Sequence, residues 1–365
     1  MEKRDNTIDI LKGIGIILVV AGHSGSPLMH YIYLFHMALF FIASGYCFKS
    51  RYSENAGNLL SFLKKRLLSL WLPYFLWLSI CSVLHNVFLN IHIYATEAEA
   101  LEYPQYSLKV MEAWSIKELI TNSLKAAIFH GWEQMAGAMW FVAVLFELSL
   151  AYCIGDYMIR RFVGEKRRIV IQGIVAVLFL GIGFVFAIMD KSILGLERVL
   201  SYYSLYFLGN LMREKGIMTK PGIIGKILMI ILGTILLAVC GKYASVDLGG
   251  NMYKDPIFLI IVSLAGWILL YGISEIISRV KPVAQIITRI GRHTMAVIAL
   301  HFLAFKLVDK IAISIKNEPE ILLAEFPVHY EGLMWRIIYR IAGVGLPVMA
   351  AAAYAGLKKH LKGKK

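Results

Sequence analysis

The sequence has few charged residues and few cysteines for its length of 365 residues. Only 17% of the residues are charged and 58% are hydrophobic, a composition that excludes an ordinary soluble domain and indicates an integral membrane protein. The four cysteines, Cys47, Cys81, Cys153 and Cys240, all fall in apolar runs without a CxxC pair. They indicate neither a disulfide framework nor a metal site, and we expect them to be small buried side chains.

The chain contains no linker rich in Pro, Gly or Ser, no low-complexity tract and no soluble insertion. We therefore predict a single transmembrane domain over residues 1–365. No convincing internal repeat occurs, which disfavours a transporter built from two related halves. Residues 90–135 form one long external segment, in which a capping-box pattern from Ser115 to Glu118 opens an amphipathic run. This pattern predicts a short surface helix that either packs over the bundle or grips an acceptor.

Apolar stretches recur about ten times and predict an all-α bundle of about ten transmembrane helices. If the amino terminus is cytoplasmic, about two thirds of the Lys and Arg residues lie on the cytoplasmic side, as the positive-inside rule requires. Both termini are then expected in the cytoplasm, and the net charge of +14 reflects topology rather than a nucleic-acid surface. The stretches are residues 8–25, 31–48, 67–89, 137–157, 169–189, 196–212, 222–241, 256–277, 294–312 and 334–357.

The first stretch carries Lys12 and His23, which lipid tolerates only when such groups face partners or water. A helix turns about 100° per residue, so their spacing returns them to within about 20° of one face, about 16 Å apart along the axis. One helix thus presents a cation near one membrane surface and an imidazole deeper inside. A cleaved signal peptide is the alternative, but Lys12 interrupts its apolar run and many spans follow.

Six blocks stand in order along the chain: DILKGIGIILVVAGHS (9–24), FHMALFFIASGYCF (35–48), FLKKRLLSLWLPYF (62–75), MWFVAVLF (139–146), YYSLYFLGNLM (202–212) and IGRHTMAVIALHF (290–302). Together they resemble the acyltransferase 3 family of integral membrane O-acyltransferases, most of all its fucose O-acetylase-like, oligosaccharide acetyltransferase branch. The resemblance implies transfer of an acyl group, expected to be acetyl, from cytosolic acyl-CoA to a hydroxyl of a cell-surface or lipid-linked sugar. It also implies a multi-pass protein of the bacterial cytoplasmic membrane, with acetyl-CoA as a donor substrate and no bound cofactor or metal.

The family pattern places a basic residue and a His in the first helix, and here these are Lys12 and His23. Many members carry Arg where Lys12 stands, and Lys binds phosphate as a point charge rather than a planar fork. His23 is the leading candidate for the base that takes the hydroxyl proton, or for a transient acyl carrier. His36 is expected to orient His23, bind the acceptor or stabilise the oxyanion. Lys12, Lys65 and Arg66 are expected to hold CoA phosphates. For Lys65 and Arg66 the alternative is that they only set topology and bind anionic lipid.

Three further residues complete the candidate site. Glu147 lies in the middle of the fourth stretch, seven residues after Trp140, where a carboxylate needs a cationic partner or must stay protonated. It either fixes the tautomer of a catalytic His or bonds to a neighbouring helix. His301, in the ninth stretch, is either a core histidine or a site residue.

Two other functions remain open from the sequence. A carrier or flippase for lipid-linked glycans would also use about ten spans and buried charges. A sensor or assembly protein would keep the fold without chemistry and would tolerate replacement of Lys12 and His23.

Overall fold

Helices make up the regular structure of the chain. A computed structural model describes residues 6–193, 195–218 and 222–362. Within these residues, β pairing is limited to isolated bridges, and the all-α prediction is confirmed. The α-helices are α1 Asn6–His23, α2 Met29–Tyr33, α3 Ala38–Tyr46, α4 Ala56–Arg66, α5 Leu72–Val83, α6 His85–Asn90, α7 Glu97–Glu102, α8 Ile116–Ala126, α9 Trp140–Phe162, α10 Arg168–Ile188, α11 Leu196–Glu214, α12 Ile223–Cys240, α13 Pro256–Ile277, α14 Lys281–Arg292, α15 Thr294–Lys316 and α16 Leu333–Lys362.

Seven helical segments in the described part of the chain are long and apolar enough to cross a membrane. They correspond to the first, third, fourth, fifth, seventh, eighth and tenth predicted stretches, so the chain has the character of a multi-pass membrane protein. The total of ten spans and the cytoplasmic position of both termini stay predictions. The basic residues counted for that orientation include some outside the described residues, namely Lys3, Arg4, Lys220, Lys364 and Lys365.

The second predicted stretch, residues 31–48, is not one helix, and that prediction is wrong. Helices α2 and α3 are separated by a turn at residues 34–37, and α3 has only nine residues. At about 1.5 Å per residue it is about 14 Å long, roughly half the apolar thickness of a bilayer. Its residues from Ala38 to Gly45 are all buried. The apolar composition here therefore reflects burial within protein rather than contact with lipid.

The sixth and ninth stretches are helical but more polar than the seven segments. Helix α11 contains the buried Glu197, and α15 contains the buried Lys306 and Asp309. In α15 the Lys306 ammonium lies 3.6 Å from the Asp309 carboxylate. Such internal pairing is typical of charged residues that face protein inside a membrane domain.

The described residues divide into two compact units. The first contains the described residues of Met1–Gly15, His30–Leu72 and Trp140–Gly291, and the second contains Ile16–Met29, Pro73–Met139 and the described residues of Arg292–Lys365. Helix α1 contributes residues to both units. The prediction of one domain over the whole chain stays a prediction.

In the first unit, α3 and α11 cross with their backbones in contact. A methyl group on Gly45 would collide with the carbonyl oxygen of Tyr206, and one on Gly209 would collide with that of Ile42. Small residues at a crossing allow this close approach, as in many membrane helix pairs. The crossing fixes the C-terminal end of α3 against α11.

A buried carboxylate fixes the connection between α3 and α4. Asp156 of α9 accepts a hydrogen bond from Ser53 in this connection and another from Arg168 at 2.9 Å. Gln172 of α10 donates a third at 3.1 Å. Because these donors compensate its buried charge, Asp156 can join α9, α10 and the start of the α4 region inside the unit.

In the second unit, a buried histidine anchors the long segment of residues 90–135. The imidazole of His85 lies 2.8 Å from a carboxylate oxygen of Glu133 and stacks on Trp114 with ring centroids 3.7 Å apart. Further along, Ser115 and Glu118 form the predicted capping box at the start of α8. The predicted short helix in this segment is thus confirmed.

Candidate functional site

Cationic side chains converge on the C-terminal end of α3 in the first unit. The Lys12 ammonium lies 4.0 Å from Sγ of Cys47, which directly follows α3. The Arg66 guanidinium donates to the Ser44 hydroxyl at 3.2 Å and approaches the Tyr206 hydroxyl at 3.5 Å. Cys47 itself is exposed, which corrects the expectation that all four cysteines are buried.

Arg213 of α11 reaches the same end of α3, where it donates to the carbonyl oxygen of Tyr46 at 3.2 Å. Lys12, Arg66 and Arg213 thus form one group from three helices, which we call the α3 cation cluster. The last carbonyls of a helix carry a partial negative charge that attracts cations. The partial negative charge at the C-terminal end of α3 therefore explains why these cationic side chains lie there.

Two members of the α3 cation cluster, Lys12 and Arg66, carry positive charge that no carboxylate of the described chain pairs with. Nε of Arg66 is buried and has no hydrogen-bond acceptor there either. A helix C-terminus offers only about half an elementary charge, so an anion would complete this site.

Lys65 was also predicted to bind a CoA phosphate, but its side chain contacts Tyr52 rather than the end of α3. Its ammonium donates to the Tyr52 hydroxyl at 3.3 Å, and the side chain is exposed. Partial burial of Tyr52 opposes ionisation, but the hydrogen bonds and charges of Lys65 and Arg51 outweigh it and lower the pKa of Tyr52. Of the three predicted phosphate-binding residues, the structure thus brings together Lys12 and Arg66.

Arg198 of α11 interacts with the Trp140 ring and acts on Glu147 in the first unit. The guanidinium of Arg198 lies 6.0 Å from the centre of the Trp140 ring, and its charge also acts on Glu147. Arg198 forms its ion pair with Glu197, at 3.5 Å, and its charge acts on the half-buried Glu147 from a longer distance. The role of Glu147 in orienting a catalytic histidine stays a prediction.

His36 lies in the turn between α2 and α3, not inside a continuous span. Its Nδ1 is 2.9 Å from the carbonyl oxygen of Ile32, which can only accept, so Nδ1 carries the proton and donates. The Tyr33 ring lies 4.8 Å from the imidazole. His36 is buried, and in the neutral tautomer that this hydrogen bond selects Nε2 is an acceptor.

In the second unit, His23 and His301 are neighbours. Their ring centroids are 5.4 Å apart, and the Phe302 ring packs against both imidazoles. His23 is the last residue of α1, and His301 is fully buried in α15. The structure thus joins two predicted site residues from distant parts of the sequence.

The hydrogen bonds of His301 define its tautomer. Its Nδ1 lies 2.9 Å from the carbonyl oxygen of Val297 and 3.1 Å from that of Ile298. Because carbonyl oxygens only accept, Nδ1 must donate, and in the neutral ring Nε2 carries the lone pair. This Nε2 is buried without a hydrogen-bond partner among the described residues. It can therefore accept a hydrogen bond from a bound hydroxyl or from a neighbouring N–H group.

Sequence reasoning missed Arg213 and Arg198 as site residues because both were counted only as charges that set topology. A signal for Arg213 was present, since it follows Tyr206 by seven residues and Gly209 by four, which places all three on one face of α11. For a metal, the described residues contain no group of three or more His, Cys, Asp or Glu side chains that could hold the ion.

The comparisons with known proteins give one match. A family model described as an acyltransferase domain, that of the acyltransferase 3 family, matches residues 5–352. No curated protein and no solved structure matched the chain.

Pyrophosphate should bind the α3 cation cluster and stabilise the folded protein. At a concentration of 100 times Kd a ligand adds about 2.7 kcal/mol, which a thermal unfolding curve in detergent resolves. We expect Lys12→Met and Arg66→Met to lose most of this stabilisation, because each removes a charge that lacks a carboxylate partner. Lys64→Met is the matched control, since Lys64 is exposed on the same helix as Arg66. Equal stabilisation of all four proteins would contradict an anion site at the cluster.

Proposed function

The chain belongs to the acyltransferase 3 family and is a membrane acyltransferase, and on that premise we propose that it moves an acetyl group from cytosolic acetyl-CoA to a sugar hydroxyl. We place it in the fucose O-acetylase-like branch of the family and in a bacterial cytoplasmic membrane. The proposed topology has ten spans, the second of them broken between α2 and α3, with both termini in the cytoplasm. The acceptor is a cell-surface polysaccharide or a lipid-linked oligosaccharide.

The charges of Lys12 and Arg66, which lack a carboxylate partner among the described residues, are the observation that carries this proposal. Coenzyme A is a polyanion, and its phosphates supply the acceptor oxygens that Lys12 and the buried Nε of Arg66 lack. Arg66 and Arg213 offer planar forks for phosphate, whereas Lys12 contributes a point charge. The amino-terminal part of α1 therefore serves the donor.

The chemistry is assigned to the other end of α1. His23 takes the proton from the acceptor hydroxyl while the oxygen attacks the thioester carbonyl. The C–S bond then breaks, the acyl group stays on the sugar oxygen, and the CoA thiolate takes up the proton. Such general base catalysis contributes about 10²–10⁴-fold to rate.

His301 is proposed to position the reacting groups. Its proton is held on Nδ1 by the Val297 and Ile298 carbonyls, so its Nε2 lone pair is available beside His23. That lone pair accepts a hydrogen bond from the acceptor hydroxyl, or from the N–H of His23 so that the other nitrogen of His23 acts as base. His36, Trp140 and Glu147 are assigned to binding or support rather than to proton transfer.

Membrane vesicles that contain the protein and radiolabelled acetyl-CoA on the cytosolic side test this assignment. We expect label in the glycan fraction and release of free CoA, with both reduced at least about 10²-fold by His23→Ala. His360→Ala, an exposed histidine near the end of α16, should behave as the wild type. A carrier or flippase would release no CoA, and a sensor would tolerate His23→Ala in this assay; either outcome would contradict the proposal.

Two replacements separate positioning by His301 from simple packing. In His301→Asn the side-chain amide can still donate near Nδ1 but loses the acceptor at the position of Nε2, whereas His301→Gln places a carbonyl oxygen near that position. We expect the Asn variant to lose kcat at least about tenfold more than the Gln variant, with similar KM for acetyl-CoA. If the two variants have equal kcat at equal protein abundance, His301 only fills space.

A further inference from the structure

Helix α8 in the second unit presents three different sides to its surroundings. One side packs against the unit, through Asn122 and the buried Ala126. A second side is polar and exposed, with Lys117, Thr121 and Lys125 in successive turns. The third side is apolar, and the described chain leaves it uncovered.

The apolar side is a regular stripe. Ile116, Ile120 and Leu124 are four residues apart, so they lie along one side of the helix, and they are 76%, 56% and 67% exposed. Ile128, just after the helix, continues the row and is 65% exposed. Four large apolar side chains in a row are more than the scattered apolar residues of a water-facing surface.

Two contacts hold α8 beside the end of a membrane span. The Asn122 amide donates to the Ser82 hydroxyl at 2.7 Å, and Ser82 is the second-last residue of α5, which ends the span Ala56–Val83. The loop after α8 packs there as well, because a methyl group on Gly131 would meet the Leu78 side chain. Helix α8 is therefore fixed at the level where this span leaves the apolar region.

The span itself presents an apolar side at that place. Leu76, Ile80 and Val83 are exposed along α5, and Val87 continues the row on α6. In a membrane protein such a side faces acyl chains. Helix α8 is thus attached to a span whose exposed apolar side is expected to face acyl chains.

Other residues near α8 have the character of a membrane interface. Trp132 is half exposed, and the Lys109 ammonium lies 5.6 Å from its ring. Lys117 and Lys125 border the polar side of the helix. Trp and Lys are typical of the depth where acyl chains meet headgroups, and Lys is attracted by lipid phosphates.

We propose that α8 is an interfacial helix whose partner is the phospholipid of the leaflet where residues 84–135 emerge. Ile116, Ile120 and Leu124 enter the acyl-chain boundary, while Lys117 and Lys125 stay among the phosphates. The apolar sides of such helices lie about 5–10 Å into this boundary. The inference depends on the exposure and attachment of α8 and not on the proposed reaction.

Spin labels on the full chain in phosphatidylglycerol nanodiscs test the depth of each side of α8. Single cysteines are introduced as Ile120→Cys, Leu124→Cys and Thr121→Cys, in a background whose four native cysteines are replaced by Ala and whose folding is verified by thermal unfolding. Thr121 is the matched control, because it neighbours Ile120 in sequence but lies on the polar side. Collision with oxygen reports the lipid phase, and collision with a water-soluble nickel chelate reports the aqueous phase.

We expect oxygen collisions at positions 120 and 124 to exceed those at 121 several-fold, and nickel collisions to show the reverse order. Equal access of nickel to positions 120 and 121 would overturn the proposal, because α8 would then stand in water. Protection of positions 120 and 124 from both reagents would overturn it too, because another protein surface, such as a second copy of this chain, would then cover the stripe.

Discussion

The backbone contact between α3 and α11 is the constraint on which the α3 cation cluster depends. Gly45 and Gly209 let the two helices approach until each backbone meets a carbonyl oxygen of the other. This crossing fixes the end of α3 next to Tyr206 and Arg213 of α11, while the Asp156 network holds the connection that leads to Arg66. A buried helix too short to cross a bilayer thereby becomes the fixed point on which cations from three helices converge.

The sequence was sufficient for the features that local chemistry determines. The helical membrane class follows from composition, and the capping box of Ser115 and Glu118 predicts the start of α8. The family was recognisable from six short blocks, and the family match covers residues 5–352. Lys12 and His23 were predicted from one helix, because a charge and an imidazole in an apolar run require a partner.

The remaining features depend on contacts between distant residues, which hydropathy does not report. The run from 31 to 48 is apolar because protein buries it, so predicting one continuous helix there was wrong. Cys47 is exposed although its neighbours are apolar, because it lies just beyond the end of α3. Arg213 and Arg198 resemble topology charges in the sequence, and only their contacts with α3 and with Trp140 distinguish them.

We propose that the two ends of α1 have different roles. Lys12 near its start carries a charge without a carboxylate partner among the described residues and is assigned to donor binding. His23 at its end lies beside His301, whose tautomer is defined, and is assigned to proton transfer. Mass spectrometry of the surface glycans of the host cell tests this account most directly, in cells with the wild-type protein, with His23→Ala at equal abundance, and without the protein. The account predicts acetyl mass increments on a sugar only with the wild type, in a host strain with no second acetylase for that glycan. Identical glycan masses in all three cells would contradict it.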